Sequence, residues 1–218
     1  PFSQRRLIEC LQTGAEKFGW DKRNAKPGSR REGRWLIGMG VGAAIRNNLL
    51  MKSGARVRLE RDGKITVETD MTDIGTGSYT IIAQTAAEMM GVGIDDVVVR
   101  LGDSNFPVSA GSGGQFGGNC STAGVYAACV KLREAIAGKL GMAADQAEFV
   151  DGQVRVGDKT VALREAAKNG EVVAEDSIEF ADLEKQYQQS TFGAHFVEVA
   201  VDAATGEVRV RRMLAVCA

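Results

Sequence analysis

Histidine is almost missing from this 218-residue sequence, with His195 its only example. That residue sits in F-G-A-H-F-V-E-V, inside an apolar strand pattern with no cluster of cysteines or carboxylates beside it, so it reads as a hydrogen-bonded core residue. Cysteine is also sparse. Cys10, Cys120, Cys129 and Cys217 are scattered with no C-x-x-C pair, which argues against a zinc ribbon, a thioredoxin-type site or an iron–sulfur cluster held within the chain. They read instead as reduced, mostly buried thiols. Net charge is −1, so no global electrostatic case exists for nucleic acid or an anionic membrane surface. The local cluster Arg30, Arg31 and Arg34 reads as a solvated loop face. No apolar run reaches the length of a membrane span, no leader-like segment opens the sequence, and both ends read as cut. There is no G-x-S-x-G elbow, internal repeat or low-complexity segment.

What remains is ordinary globular composition, 44% hydrophobic and 25% charged, in a chain long enough to bury a core. Periodicity predicts a helix over 3–18, capped by Ser3 and ended by Gly19, with Leu7, Ile8 and Leu11 on one face. A glycine-alternating strand, packed closely against something, is expected from Trp35 to Ile45. Next come a hairpin around Asp62-Gly63, a helix at 78–91 closed by Gly91, and a buried strand at 96–101. A long loop (102–120) precedes a helix at about 121–140 starting at Ser121 or Thr122. Short strands and a small helix fill 146–176, and two long strands close the chain around a turn at Asp202–Gly206. Helices and hairpins mix without a strict βαβ rhythm, so the fold class is α+β, mixed sheets with β-hairpins packed against helices. Candidate subdomains are 1–145 and 146–218.

Two loops share one kind of physics. D-I-G-T-G-S (Asp73–Ser78) precedes the Met-rich helix, and A-G-S-G-G-Q-F-G-G-N-C-S (Ala110–Ser121), with five glycines in 111–118, precedes the next. Glycine lets backbone approach a ligand closely, and a helix start adds free N–H groups and the positive end of the macrodipole. Together these favour a phosphate or pyrophosphate. Met89-Met90 reads as core filling, and Asp70 and Asp73 as turn or cap residues. The guanidinium of Arg46 ends a run of small and apolar residues and is suited to orient a carbonyl or carboxylate, against a plain surface ion pair. Residues 38–43 match the spacing G-x-G-x-x-A, with Glu60 about twenty residues on, as in dinucleotide-binding folds. The segment after them is a poor helix former, and the strand ending at Glu60 turns back as a hairpin. An NAD-binding domain using Gly38–Ala43 is therefore the weaker alternative, beside a non-catalytic assembly or structural fragment.

Three stretches in order, T-D-I-G-T-G-S-Y-T-I-I-A-Q-T-A-A-E-M-M-G (72–91), L-G-D-S-N-F-P-V-S-A-G-S-G-G-Q-F-G-G (101–118) and H-F-V-E-V-A-V-D-A-A-T-G-E-V-R-V (195–210), resemble the large molybdenum-cofactor-binding subunit of the xanthine dehydrogenase family. The likeness runs from about Arg34 onward and is strongest to bacterial periplasmic-type aldehyde oxidoreductases. It implies a piece of a molybdopterin-binding domain and a molybdopterin cytosine dinucleotide cofactor. It also implies FAD and iron–sulfur clusters on partner subunits, and a small aldehyde or N-heterocycle as substrate. Neither nucleic acid nor membrane is implied as a partner, and the compartment, cytoplasm or periplasm, stays open. By motif position, Gly75, Thr76 and Gly77 face the cofactor from the first loop, and Ser112, Gly113, Gly114, Gln115 and Phe116 from the second. Thr76 stands where the family usually has glutamine, and Arg46 falls among substrate-side residues. The family's glutamate base lies in a K-G-x-G-E segment near the end of the whole subunit. That segment and the upstream G-G-F-G-G are absent here, so no catalytic residue is assigned and the 218 residues alone are expected to be inactive.

Overall fold

The computed structural model describes residues 1–113 and 115–218. Along the chain the helices are α1 (Leu7–Phe18), α2 (Ser78–Met90), α3 (Gln115–Lys139) and the short α4 (Leu183–Gln186). The strands are β1 (Arg30–Glu32), β2 (Trp35–Asn47), β3 (Ser53–Leu59), β4 (Ile65–Thr69), β5 (Val97–Leu101) and β6 (Glu148–Val150), then β7 (Gln153–Val156), β8 (Lys159–Ala162), β9 (Val172–Ile178), β10 (Ser190–Asp202) and β11 (Val208–Cys217). The α+β class is as expected. Two compact units form, a terminal unit from residues 1–48 and 182–218 and a central unit from 49–181. This division does not follow a cut at residue 145, because β2 and β10 pair along their whole length and so join the two ends of the chain.

In the central unit one sheet runs β5-β4-β3-β9, antiparallel except for the β4–β5 pair. The β3–β4 hairpin forms as read: Asp62 accepts the Lys64 N–H, and Gly63 takes a φ of 95°. Period-2 alternation in β3 sends Val57 and Leu59 inward, where Ile65, Val67, Leu132 and Ile136 join them with no solvent exposure. The other face carries Arg56 and Arg58, which converge on the nearly buried Glu68 at 3.3 and 2.9 Å. The strand β5 is not buried as expected: it is an edge strand, with Val98 39% exposed. A second sheet, β6-β7-β8, begins with a two-residue turn at Asp151-Gly152, both at positive φ, as tight hairpins demand.

The start of α3 departs most from the sequence reading. Its helix begins at Gln115, six residues before Ser121, so Gly117 and Gly118 lie inside it. Packing outweighs their poor helix propensity. A β-carbon on Gly117 would stand 2.5 Å from the Gly111 carbonyl, and one on Gly124 would stand 2.5 Å from that of Ser53.

The terminal unit is a sheet in the order β1-β2-β10-β11 with α1 on one face. The helix starts at Leu7, with no side chain capping it, so Ser3 does not fill that role, and Ile8 is 68% exposed, off the core face. Gly19 ends it in the left-handed conformation. Phe18 and Cys10 pack on Ala194 and Phe196, and Gly14 lets the Phe196 ring come so close that a β-carbon would sit 2.2 Å from it. The basic cluster is solvated as expected but not all in a loop: Arg30 and Arg31 lie in β1, Arg30 pairs with Glu32 and Glu198, and Arg34 in the following turn pairs with the buried Asp202. His195 is half-buried on the sheet face opposite α1, and among the described residues its side chain has no hydrogen bond, so it is not tied into the core as expected. Cys10, Cys120 and Cys129 are buried free thiols and Cys217 is exposed. Among the described residues no helix is long and apolar enough to cross a membrane.

Candidate cofactor site

Both glycine loops lie in the central unit, and hydrogen bonds lace them together. Asp70, just past β4, accepts the Ser109 N–H at 2.7 Å, and its own N–H bonds the Pro107 carbonyl. Ser53, at the start of β3, accepts the Ala110 N–H through its hydroxyl. Gly54 donates to the Val108 carbonyl at 2.7 Å, and the Ser112 hydroxyl donates to the Thr72 carbonyl. At their starts, α2 and α3 also pack closely, since a β-carbon on Gly118 would reach the Ile81 side chain at 3.2 Å. Two helix beginnings and two loops thus form one end of this unit. The sequence reading missed Ser53 and Ser109 as struts. The Ser53 hydroxyl links a strand start to the loop, while the Ser109 hydroxyl stays within the loop and accepts the Gly111 N–H at 3.1 Å, and neither carries a pattern until the fold is known.

The loops differ in what they leave free. In the first, the Asp73 carboxylate takes the Gly75 and Thr76 N–H groups at 2.7 and 2.9 Å and reaches the Tyr79 N–H at 3.4 Å. Burial works to raise the Asp73 carboxyl, but the backbone donors of Gly75, Tyr79, Thr76 and Ser78 outweigh it and hold the group below its usual value. An anion at this helix start would have to displace a carboxylate. The cap role read for Asp73 holds, and the cost is that this loop's amides are already used. Gly75 and Gly77, at φ of 91° and 78°, still show bare backbone to open space, and the Thr76 hydroxyl contacts that of Ser78 at 3.2 Å.

In the second loop the glycines divide by role. Gly113 lies under the Phe116 ring, where a β-carbon would be 2.0 Å from it, so this pair is internal packing. Gly111, at φ 76°, faces open space. The first-turn N–H groups of α3 have no acceptor within the helix, as at any helix start, and no carboxylate caps this end among the described residues. Gly114 lies outside the described residues, and so does the side chain of Gln115. The second loop therefore suits a phosphate-bearing group, and the first offers backbone surface rather than donors. Arg46 is exposed near the end of β2 and belongs to the terminal unit. Gly38–Ala43 lies within β2, antiparallel to β10 and with no helix after it, which removes the dinucleotide-loop alternative. Cys120 is structural: its sulfur accepts the Met51 N–H at 3.3 Å. Among the described residues no group of histidine, cysteine or carboxylate ligands could hold a metal ion.

A family model described as the molybdopterin cofactor-binding domain matches residues 13–218. The chain belongs to this family. It is similar to the aldehyde oxidoreductase molybdenum-binding subunit PaoC of Escherichia coli strain K12, at 66% identity over 217 residues, covering 100% of this chain and 30% of that protein. A more distant relative is the xanthine dehydrogenase molybdenum-binding subunit of Escherichia coli O157:H7, 28% identical across 95% of the chain and 30% of that protein. Among solved structures, CO dehydrogenase from Oligotropha carboxidovorans superposes with a TM-score of 0.75 at 17% identity, covering 99% of this chain and 31% of that one. Quinoline 2-oxidoreductase from Pseudomonas putida 86 gives 0.73 at 20% identity, over 96% of this chain and 30% of that one. These two likenesses are of fold alone. The molybdopterin-binding chain spans about 30% of the length of the curated relatives named here.

Proposed function

We propose that this chain supplies part of the cofactor cradle in the molybdenum-binding subunit of an aldehyde oxidoreductase, and that the cofactor is molybdopterin cytosine dinucleotide. The observation that carries the reading is the pair of laced glycine loops at the starts of α2 and α3, with the Asp73 carboxylate on the amides of the first loop and, among the described residues, no carboxylate at the start of α3. On this reading the diphosphate rests at the start of α3, against Gly111 and the backbone of Ser112, Gly113, Gln115 and Phe116. Gly75, Thr76 and Gly77 approach the uncharged part of the cofactor through backbone surface and the Thr76 hydroxyl. Arg46 carries a guanidinium suited to orient a carbonyl or carboxylate of a substrate. When bound, the molybdenum centre supplies two-electron oxidation of an aldehyde or N-heterocycle with an oxygen drawn from water. Iron–sulfur and FAD subunits would be the partners that accept the electrons. The glutamate base belongs to a part of the subunit outside these residues, so the 218 residues alone turn over no substrate.

The test is cofactor content. In the full-length subunit, Gly111→Val places a branched side chain where the cradle needs bare backbone at positive φ. The purified variant is expected to lose molybdenum by elemental analysis and released cytidine nucleotide by chromatography together, with its far-UV spectrum kept. Full occupancy of both would refute the cradle. The rival reading, a segment serving only assembly, predicts full cofactor content with impaired partner binding.

A further inference from the structure

The terminal unit contains a long strand that is supported on one side only. The inner edge of β2 pairs with β10 from Trp35 to Asn47, but its outer edge meets β1 only at Trp35–Ile37. From Gly38 to Asn47 no strand lies along that outer edge among the described residues. Residues 40–47 are all exposed. On the side of the sheet that carries α1, Val41 and Ile45 remain 43% and 54% exposed, because the helix packs over β10 and β11. On the other side Gly38, Gly40 and Gly42 occupy three successive positions, with nothing within 4 Å of where a β-carbon would stand. The glycines face His195, Val197 and Val199 of β10, and one strand further across the same face Val210 and Met213 of β11 are each 64% exposed.

Free strand edges are normally guarded by a bulge, a proline, a lysine or brevity. The edge from Gly38 to Ile45 has none of these, and the first charge along it is Arg46. Glycines weaken a strand that stands alone, and they recur where another backbone comes close. β-branched residues such as Val41 and Ile45 suit a pleated surface that is covered, and here both are half open to water.

We infer that the outer edge of β2, residues 38–47, is a docking edge for an additional β-strand supplied by the portion of the full-length subunit that lies outside these 218 residues. The relatives named above are more than three times as long as the matched stretch, which covers 30% of them, so ample chain exists to provide it. A strand tethered in the same polypeptide meets the edge at an effective concentration on the order of millimolar, which favours it over a second copy or a separate subunit. The inference goes beyond the cofactor reading and does not depend on it, since it concerns the other unit.

Hydrogen exchange of the full-length subunit, with and without cofactor, tests this directly. In a paired β-ladder alternate amides of a strand point to each neighbour, so a free edge leaves about half of the β2 amides unprotected. The inference predicts that nearly all amides from 40 to 46 exchange slowly, the outward ones by 100-fold or more relative to the unfolded chain. This protection should be present in the full-length monomer at any protein concentration. Outward amides exchanging at free-chain rates would overturn it. So would protection that appears only when partner subunits bind, or that grows with concentration as a second copy would cause. Loss of cofactor with protection intact would count against the cradle and leave this inference standing.

Discussion

Gly91 and Gly141 close the two long helices of the central unit in the same left-handed conformation, each at a φ of 62°. They differ in surroundings. A β-carbon on Gly91 would stand 2.2 Å from the Phe149 carbonyl oxygen, while one on Gly141 meets nothing within 4 Å. The pair therefore separates conformational strain from collision. Gly141→Ala should bear about 1–2 kcal/mol of left-handed strain, offset by the ~0.4–1 kcal/mol from restricting the unfolded chain, for a net loss of about 1 kcal/mol. Gly91→Ala bears the same strain plus about 1–3 kcal/mol for forcing backbone apart, about 2–4 kcal/mol in all. At about 2–4 °C per kcal/mol for a chain of this size, the expected drops are about 2–4 °C for Gly141→Ala and about 4–16 °C for Gly91→Ala. Thermal unfolding followed by circular dichroism measures both. Equal shifts would refute the reasoning, because they would mean that β6 does not sit against the end of α2, where Gly152 also donates to the Gly91 carbonyl at 2.7 Å.

Truncating the fully buried Leu132 to alanine should cost about 2–5 kcal/mol in urea unfolding, against about 0.5 kcal/mol or less for Ile8→Ala on the exposed side of α1. Burial pushes the Cys129 thiol up to about 12, so alkylation of the native chain at mildly alkaline pH should modify Cys217 and spare Cys129, as mass mapping would show. The sign for stability follows: the folded state holds the Cys129 proton more tightly than the unfolded state, so stability falls as pH rises above the ordinary thiol value of about 8.5. The reverse holds for Asp73, whose carboxyl is held low in the folded loop. Its contribution is present above the unfolded value of about 3.9 and disappears as pH falls through the folded one, and Asp73→Asn should flatten that part of an acid-unfolding profile.

How much of this was readable from residues alone depended on whether the deciding interaction was local. The turn at Asp62-Gly63, the left-handed ends at Gly19 and Gly91, and the cap at Asp73 are all settled within a few residues, and each appears where the pattern put it. The start of α3 was not readable, because Gly117 and Gly118 look like loop until their neighbours, the Gly111 carbonyl and Ile81, are known. The two glycine loops looked equivalent as sequence. Only the fold shows that Asp73 consumes the amides of one, while the same residue type at Asp70 reaches across to Ser109 and holds the other in place. The division into units was hidden for the same reason, since it rests on the pairing of β2 with a strand more than a hundred residues away. In β2 itself the glycine alternation correctly gave a strand, but the close packing expected against it is not met within these residues.

The pairing of β2 with β10 also sets an order of events during synthesis. The central unit is complete in the sequence before β10 begins, and its contacts are among its own residues, so it can collapse while the ribosome is still making the rest. The first 48 residues cannot do the same, because the strand they must pair with has not yet been translated. Within these residues β2 has no β10 to pair with through that interval, so the sheet of the terminal unit closes only after the whole central unit has been made.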